Sequence, residues 1–497
     1  MRTILSISLM LCCAVFATAQ QPGVLNNTTI DGFRPIWFDL GQKTEYGSKY
    51  CGSFGTYTVK HRPLAIFDES TQRTYFVYGG TTTAEERHLL CMVSYFDHKS
   101  GLVHRPTVVY DKGDVNDPHD NPSILLDPEG YLWIYVSGRN TSRSGFIYRS
   151  TKPHDISHFD FVWTGTITYP QCYYLEGQGH FLFFTRYDGV RQLFFQTSPD
   201  GRNWSNYKQL ASIMDPSLGE TKSGHYQVSG RCGNKLAFAF NRHLNGNCDT
   251  RTNIYYLQTT DFGKTWTLVD GTPIDIPITD RNSPCRILNL EVEGEDHSHM
   301  DGSVQLHVHH AGKNCYIKDL NFDKDGNPII LYLTSHGHKP GPQAGMRQWY
   351  VAHYTGKSWQ FHHIAESTNN YDSGSLYVEG LTWTVIAPLE AGPQRWGQGG
   401  EVVAYTSTDQ GNTWKKTRQY TANSPANHCY VRRPEQAKDP FYAFWADGNP
   451  ELLSPCHLHF ADSQGHVWRL PDTMDGEWAT PEPVSFISDE ELRMLSR

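Results

Sequence analysis

The sequence predicts an all-β protein folded as a seven-bladed β-propeller, and three observations lead there: a composition suited to short strands and tight turns, a recurring hairpin motif, and strand clusters at a blade-like spacing. The chain of 497 residues is 13% aromatic, carries 43 glycines and 27 prolines, and is only 19% charged. That balance supplies strand cores and turns, and it argues against a helical or disordered chain. No Gly/Ser-rich or Pro-rich linker follows residue 30, so residues 20–497 are expected to form one domain. A β-sandwich with a smaller attached domain is the competing arrangement.

Residues 1–19 read as a signal peptide. Arg2 is the positive n-region, Ile4 to Phe16 are apolar, and Ala17-Thr18-Ala19 forms an A-x-A cleavage site. The apolar run is too short to span a bilayer, and no later segment is long and apolar enough to do so. A secreted or periplasmic protein with no membrane span is expected. Cleavage leaves nine cysteines, an odd number at wide spacing, which excludes a small disulfide scaffold.

Short aromatic or β-branched runs then alternate with turn residues, as in Thr74–Tyr78, Leu132–Val136, Phe181–Phe184 and Ile329–Leu333. Ser407-Thr408-Asp409-Gln410-Gly411-Asn412-Thr413-Trp414 fits the Asp-box pattern S-x-D-x-G-x-x-W, and Thr259 to Trp266 fits it with Thr for Ser. Ser198 to Trp204 is a version one residue shorter. In such a hairpin the Asp caps backbone N–H groups while the Trp packs between strands. Asp-Gly turns at Asp127, Asp325 and Asp462 add to the series. Asp323-x-Asp325-Gly326-Asn327 lacks the later acidic ligand of a calcium loop and reads as a turn. Seven strand clusters begin near residues 60, 119, 166, 223, 302, 372 and 428, close to the period of a four-stranded blade. Segment 30–58 is expected to complete the last blade, and Ser488 to Ser496 is the only helix-like stretch.

A net charge of −9 argues against a nucleic-acid partner, which would need a basic face. It leaves room for an anionic substrate, because a local cleft can be basic on an acidic protein. Five constellations could carry chemistry. Asn116-Asp117-Pro118-His119-Asp120-Asn121-Pro122-Ser123 sets a histidine among turn residues at a blade's inner edge, where it either transfers protons or merely braces its loop. Tyr169 precedes a proline and is therefore held extended, and Arg186 ends the next apolar strand; both could equally be packing and surface residues. His225 and Tyr226 are adjacent, so only one of them should face a central cleft. His243, Cys248, His310 and Cys315, with His307 and His309 nearby, offer zinc-type donors without a tight C-x-x-C pair, and ordinary buried thiols and loop histidines are the plainer account. Asn427 to Pro434, with Arg432 and Arg433, is either a basic aromatic edge or a pair of buried structural arginines.

The Asp117-x-His119-x-Asn121-Pro122-Ser123 run, Thr168-Tyr169-Pro170 ahead of Arg186, and the degenerate Asp-boxes together resemble the BNR-type propellers that include the ulvan lyases of polysaccharide lyase families 24 and 25. The resemblance runs along most of the mature chain. It implies a secreted lyase that cleaves a uronic-acid-containing, sulfated, ulvan-like polysaccharide or oligosaccharide by β-elimination, leaving a 4,5-unsaturated uronyl end. It assigns carboxylate neutralisation to Arg186, acid and base work to His119 and Tyr169, and substrate binding to Asn121, Arg139, His225 and Tyr226. No cofactor is needed for that step. A structural zinc would fall to His243, Cys248, His310 and Cys315. Some relatives carry a second histidine about twenty residues after the first; Arg139 and Asn140 stand there in this chain, which favours a His/Tyr mechanism. The same site could instead expel water, as an oligosaccharide dehydratase. A sialidase-like glycosidase would need an arginine triad and a Tyr/Glu pair. A non-catalytic sugar-binding propeller predicts that His119, Tyr169 and Arg186 do not converge.

Overall fold

The computed structural model describes residues 24–486, apart from residues 40, 50, 54, 84–87, 140, 188–189, 302–308 and 453. The expected leader and the helix-like tail lie outside the described residues. Seven antiparallel sheets follow one another along the chain, as the sequence predicts. Blade 1 is built on Ala65–Asp68, Arg73–Gly80, Leu90–Asp97 and Leu102–His104. Blade 2 is Pro122–Leu126, Leu132–Val136, Gly145–Ser150 and Phe159–Gly165; blade 3 is Thr168–Leu175, Gly179–Tyr187, Arg191–Ser198 and Lys208–Ala211. Blade 4 is Gln227–Cys232, Lys235–His243, Arg251–Thr259 and Arg286–Leu288; blade 5 is Asn314–Phe322, Pro328–Ser335, Arg347–Tyr354 and Trp359–Ser367. Blade 6 is Ser375–Glu379, Thr382–Glu390, Glu401–Ser407 and Lys415–Gln419; blade 7 is Asn427–Arg432, Ala443–Gly448, Leu458–Ala461 and Val467–Arg469. In each blade the first strand is innermost. Among the described residues, no helix is long and apolar enough to cross a membrane.

The core is divided among the seams between blades. Alternate residues of one strand point to opposite faces. In blade 3, Phe181 and Phe183 therefore enter the seam toward blade 4, while Leu182 and Phe184 enter the seam toward blade 2. Both faces are buried, so the strand reads as a continuous apolar run rather than an alternating one. Each of the other five seams has its own apolar cluster. The Asp-boxes close hairpins between the third and outer strands. Asp409 Oδ1 accepts from Ser407 Oγ at 2.7 Å and from Thr413 N at 2.9 Å, and Trp414 Nε1 donates to Gly411 O at 2.9 Å. The Asp323 segment is a turn: Asp323 Oδ1 accepts from the backbone N–H of Asp325 and Asn327.

One expectation needs correction. Segment 30–58 does not complete blade 7. The place beside Val467–Arg469 is taken by Glu482–Val484 from the C-terminal tail, while Trp478–Ala479 pairs with Leu102–His104 of blade 1. The tail thus stitches the last blade to the first. The N-terminal segment forms its own ladders, Trp37–Asp39 with Cys51–Ser53 and Lys43–Thr44 with Gly47–Ser48. The first described strand of blade 5 is Asn314–Phe322, and the start expected near residue 302 lies outside the described residues. Ring closure also rests on an aromatic seam in which Phe441 lies 5.3 Å from Phe76 and 4.6 Å from Phe460. Phe441→Ala is expected to cost ~3–5 kcal/mol by opening a cavity there, measured as a lowered denaturation midpoint beside an equally buried control, Phe183→Ala.

Candidate active site

The innermost strands leave a funnel at the axis, with about 690 Å³ of open space including its mouth. Blades 2 to 7 and the segment preceding blade 1 contribute to its lining. Two tyrosines enter at register shifts of innermost strands, Tyr169 between Thr168 and Gln171 in blade 3 and Tyr430 between Cys429 and Arg432 in blade 7. Both adopt a left-handed backbone, with φ of 58°, which is strained for an aromatic residue. A bulge re-aims a side chain, and here it brings both phenols to the axis. Tyr169 N–H is held by Ser137 Oγ at 3.1 Å.

His119 sits in a short 3-10 turn, Pro118–Asp120, between blades 1 and 2. Asp117 caps this turn, accepting from His119 N at 3.1 Å and from the His119 ring at Nδ1. The other Asp117 oxygen accepts from Arg139 at 2.5 Å and Arg143 at 2.8 Å. Burial opposes ionisation of Asp117, but His119 and Arg139 outweigh it and hold the carboxyl well below its usual range. Burial also pushes His119 down, and Asp117 restores part of that shift. The ring is therefore neutral near pH 7, with Nδ1–H committed to Asp117 and Nε2 left as the basic atom. His61 Nε2–H donates to the His119 carbonyl at 3.1 Å, fixing the turn from behind. The His119 and Tyr169 ring centres are 5.1 Å apart. Tyr187 OH donates to Tyr169 OH at 3.3 Å. Burial and the neighbouring tyrosines push the Tyr169 phenol well above its usual range, so it keeps its proton.

Positive charge surrounds this pair. Arg139, Arg191, Arg251, Lys60 and Lys318 line the funnel, and no carboxylate does so among the described residues. The Arg251 guanidinium lies 4.8 Å from the Tyr226 ring centre and donates to Tyr371 OH at 3.1 Å. Arg191 lies 5.4 Å from the Tyr187 ring and 5.9 Å from Tyr226. At the floor, Lys60 Nζ donates to Ile317 O at 3.0 Å and Lys318 Nζ to Asn370 O at 2.7 Å. Burial drives both lysines down. The three arginines thus carry the cavity's positive potential.

The family model for BNR repeat-containing proteins matches residues 98–367, more than half of the chain. The chain belongs to the BNR repeat-containing family. No curated protein matches the sequence. Among solved structures, an ulvan lyase of polysaccharide lyase family 25, bound to a GlcA(1-4)Rha3S unit, superposes with a TM-score of 0.64 at 15% identity. That alignment covers 88% of this chain and 96% of that one. The polysaccharide lyase Uly1 gives a TM-score of 0.56 at 11% identity, covering 91% of this chain and 98% of the other. At such identities the likeness is one of fold.

In this BNR-repeat protein the structure brings together His119, Tyr169, Arg139, Tyr226 and Cys248. It does not bring Arg186 there. Arg186 shares a strand face with Leu182 and Phe184, and its guanidinium lies 4.0 Å from the Tyr207 ring and 5.3 Å from Phe194. Tyr187, one residue on, takes the opposite face. His225 is also a framework residue: Nδ1–H donates to Asn241 O at 2.9 Å, and Nε2 accepts from Ile213 N–H at 3.0 Å. Asn121 Nδ2 donates to Tyr57 O at 2.6 Å and braces the wall rather than lining it. Arg432 donates to the carbonyls of Thr56, Thr58 and His61. Arg433 lies 3.6 Å from Asp319, and both arginines are structural. Arg191, Arg251, Tyr371 and the floor lysines were not singled out by the sequence. Arg191 opens a strand facing Arg186's strand, and only that pairing separates the two arginines.

The zinc expectation does not fit. His310 Nε2 is bonded to Asn314 Oδ1 at 2.8 Å, and the Cys315 thiol, pushed up by burial, lies beside Lys60 and Lys318. His243, Cys248, His310 and Cys315 do not converge, and His307 lies outside the described residues. Among the described residues, the cluster with ligand-like spacing is His428, Asp447 and His459 in blade 7. Its atoms are already engaged: Trp445 Nε1 donates to His428 Nδ1 at 2.9 Å, Ser424 Oγ sits 3.0 Å from His428 Nε2, and Asp447 Oδ2 accepts from both His457 and His459. The eight cysteines whose side chains are described are free thiols. NMR titration of the histidines is expected to show His225 titrating at about 4 and His119 below 6.5. Asp117→Asn should lower His119 further, because it removes the charge that favours the imidazolium.

Proposed function

We propose that this protein is a polysaccharide lyase that cleaves beside a uronic acid by β-elimination. The observation that carries this reading is the meeting of an Asp117-held neutral His119 and a protonated Tyr169 in a cavity lined by arginines and free of carboxylates among its described residues. Each feature answers a requirement of the reaction. The C5 proton of a uronate is weakly acidic, and guanidinium groups on the neighbouring carboxylate stabilise the enolate-like charge that forms when it leaves. Arg191 and Arg251 take that role, with Arg139 beside them. His119 Nε2 accepts the C5 proton. The C5–H electron pair becomes the C4=C5 double bond, the C4–O bond breaks, and Tyr169 O–H protonates the departing oxygen. Asp117 stabilises the imidazolium formed on His119, and Tyr187 orients the Tyr169 hydroxyl.

The finer substrate is an ulvan-like, sulfated uronate polymer or its oligosaccharides. The sequence motifs and the GlcA(1-4)Rha3S unit bound by a neighbour of the same fold support it. A sialidase-type site needs a carboxylate beside its tyrosine, and none lines the funnel among the described residues. Export, read from residues 1–19, belongs to the same proposal, since a polymer is met outside the cell membrane.

The test is the ultraviolet absorbance of the unsaturated uronyl product on incubation with ulvan, its oligosaccharides and other uronate polymers. Absence of any rise with the wild type would sink the reading. His119→Ala and Tyr169→Phe are each expected to lower kcat by ~10²–10⁴-fold. Arg191→Ala should lower kcat/KM strongly, whereas Arg186→Ala should stay close to wild type. Because His119 must be neutral to accept a proton and its pKa is depressed, the acid limb of kcat/KM should have its midpoint below pH 6.5.

A further inference from the structure

The N-terminal hairpin, Lys43–Thr44 with Gly47–Ser48, lies across one side of the funnel mouth. It is closed by Lys49 N–H donating to Gln42 O at 2.9 Å, and Gln42 itself lines the cavity. Its anchors fall on four consecutive blades, in the loops joining second to third strands. On blade 7, Trp37 Nε1 donates to Asn449 O at 3.1 Å, and Gly47 lies against Glu451 and Pro450. On blade 6, the Tyr46 ring lies 6.4 Å from Trp396 in an edge-on contact. On blade 5, Gly341 gives Tyr46 its seat, for a Cβ there would stand 2.4 Å from the ring. On blade 4, buried Lys49 pairs with buried Asp249, next to the cavity residue Cys248. The proton-transfer pair and two of the arginines stand on the other side: His119 and Arg139 come from blade 2 and its approach, and Tyr169 and Arg191 from blade 3, while Arg251 comes from blade 4. Below, Val59, Lys60, Ile317 and Lys318 form the floor.

A polysaccharide bound by its interior must enter and leave across two open sides. A cavity walled over blades 4 to 7 and floored at the axis offers one. We propose that this site takes anionic saccharides by their end, so that its substrates are oligosaccharides and chain termini and the hairpin 43–48 sets that specificity. This rests on the uronate-directed reading above. The terminal uronate sits in the depth of the funnel against Arg191 and Arg251, and the remainder of the chain leaves over blades 1 to 3.

The experiment measures protein bound per saccharide chain with ulvan fractions of increasing length. It uses the slow Tyr169→Phe variant of the full chain, followed by light scattering. The expected result is a constant number bound per chain whatever its length; a number rising in proportion to length overturns the inference. A second measurement follows polymer length during wild-type turnover, where product absorbance should appear while mean length falls only slowly. Replacing residues 43–48 by Gly-Gly should convert this to an early collapse of mean length; an identical profile overturns the role of the hairpin. If the shortened variant does not fold, the stoichiometry with the intact hairpin still decides. Neither binding nor absorbance with any uronate would remove the uronate reading and this inference with it, whereas length-proportional binding with absorbance intact removes this inference alone.

Discussion

Burial of both faces of every blade is the constraint on which the rest of the structure depends. Apolar side chains alternate left and right into seven seams, and none of that packing can fill the axis, where the innermost strands present their edges. Unpaired strand edges carry backbone groups that must be satisfied. In this protein neutral side chains meet many of them, as Gln171 does for Gln227 O, Asn241 for Cys315 O and Ser375 for Val431 O. Cations add to this near the axis, where Lys60 donates to Ile317 O, Lys318 to Asn370 O and Arg432 to three carbonyls of the segment before blade 1.

That centre is built against the charge of the whole molecule. The chain is acidic overall, yet the acids nearest the funnel stand behind its wall with their charges already used. Asp117 is shared among His119, Arg139 and Arg143, and Asp120 accepts from Lys112 and Arg143. Asp319 answers Arg62. The guanidiniums of Arg191 and Arg251 lie beside tyrosine rings and donate to the carbonyls of Gly246 and Cys248. Low dielectric strengthens such an interaction and also makes an unpaired buried lysine shed its proton. Arginine rather than lysine is therefore the group able to hold an anion in this place.

The proton-transfer pair depends on local strain supported by distant contacts. Tyr169 occupies a backbone conformation unfavourable to an aromatic residue, held by Ser137 from blade 2 and by the register shift in its own strand. Tyr430 repeats the arrangement in blade 7. His119 is aimed by Asp117 two residues before it and by His61 from the segment entering blade 1. No one of these elements makes a site by itself; the convergence of blades does.

The sequence by itself determined the strand clusters, the Asp-box hairpins and the motif that carries Asp117 and His119, because each is set by residues within a few positions of one another. It also marked Tyr169, through the proline after it, although the local expectation of an extended backbone gave way to a bulge that only packing around the axis maintains. What the tertiary structure alone decided was which arginine faces the axis. Arg186 and Arg191 flank one hairpin, and a change of one residue in strand parity sends a side chain to the opposite seam. Arg251 and Tyr371 reach the funnel from separate blades, and the hairpin at 43–48 meets blades 4 to 7 through contacts hundreds of residues apart in the chain. Such distances leave no local pattern, because they are fixed by the closure of the ring and not by any neighbour in sequence.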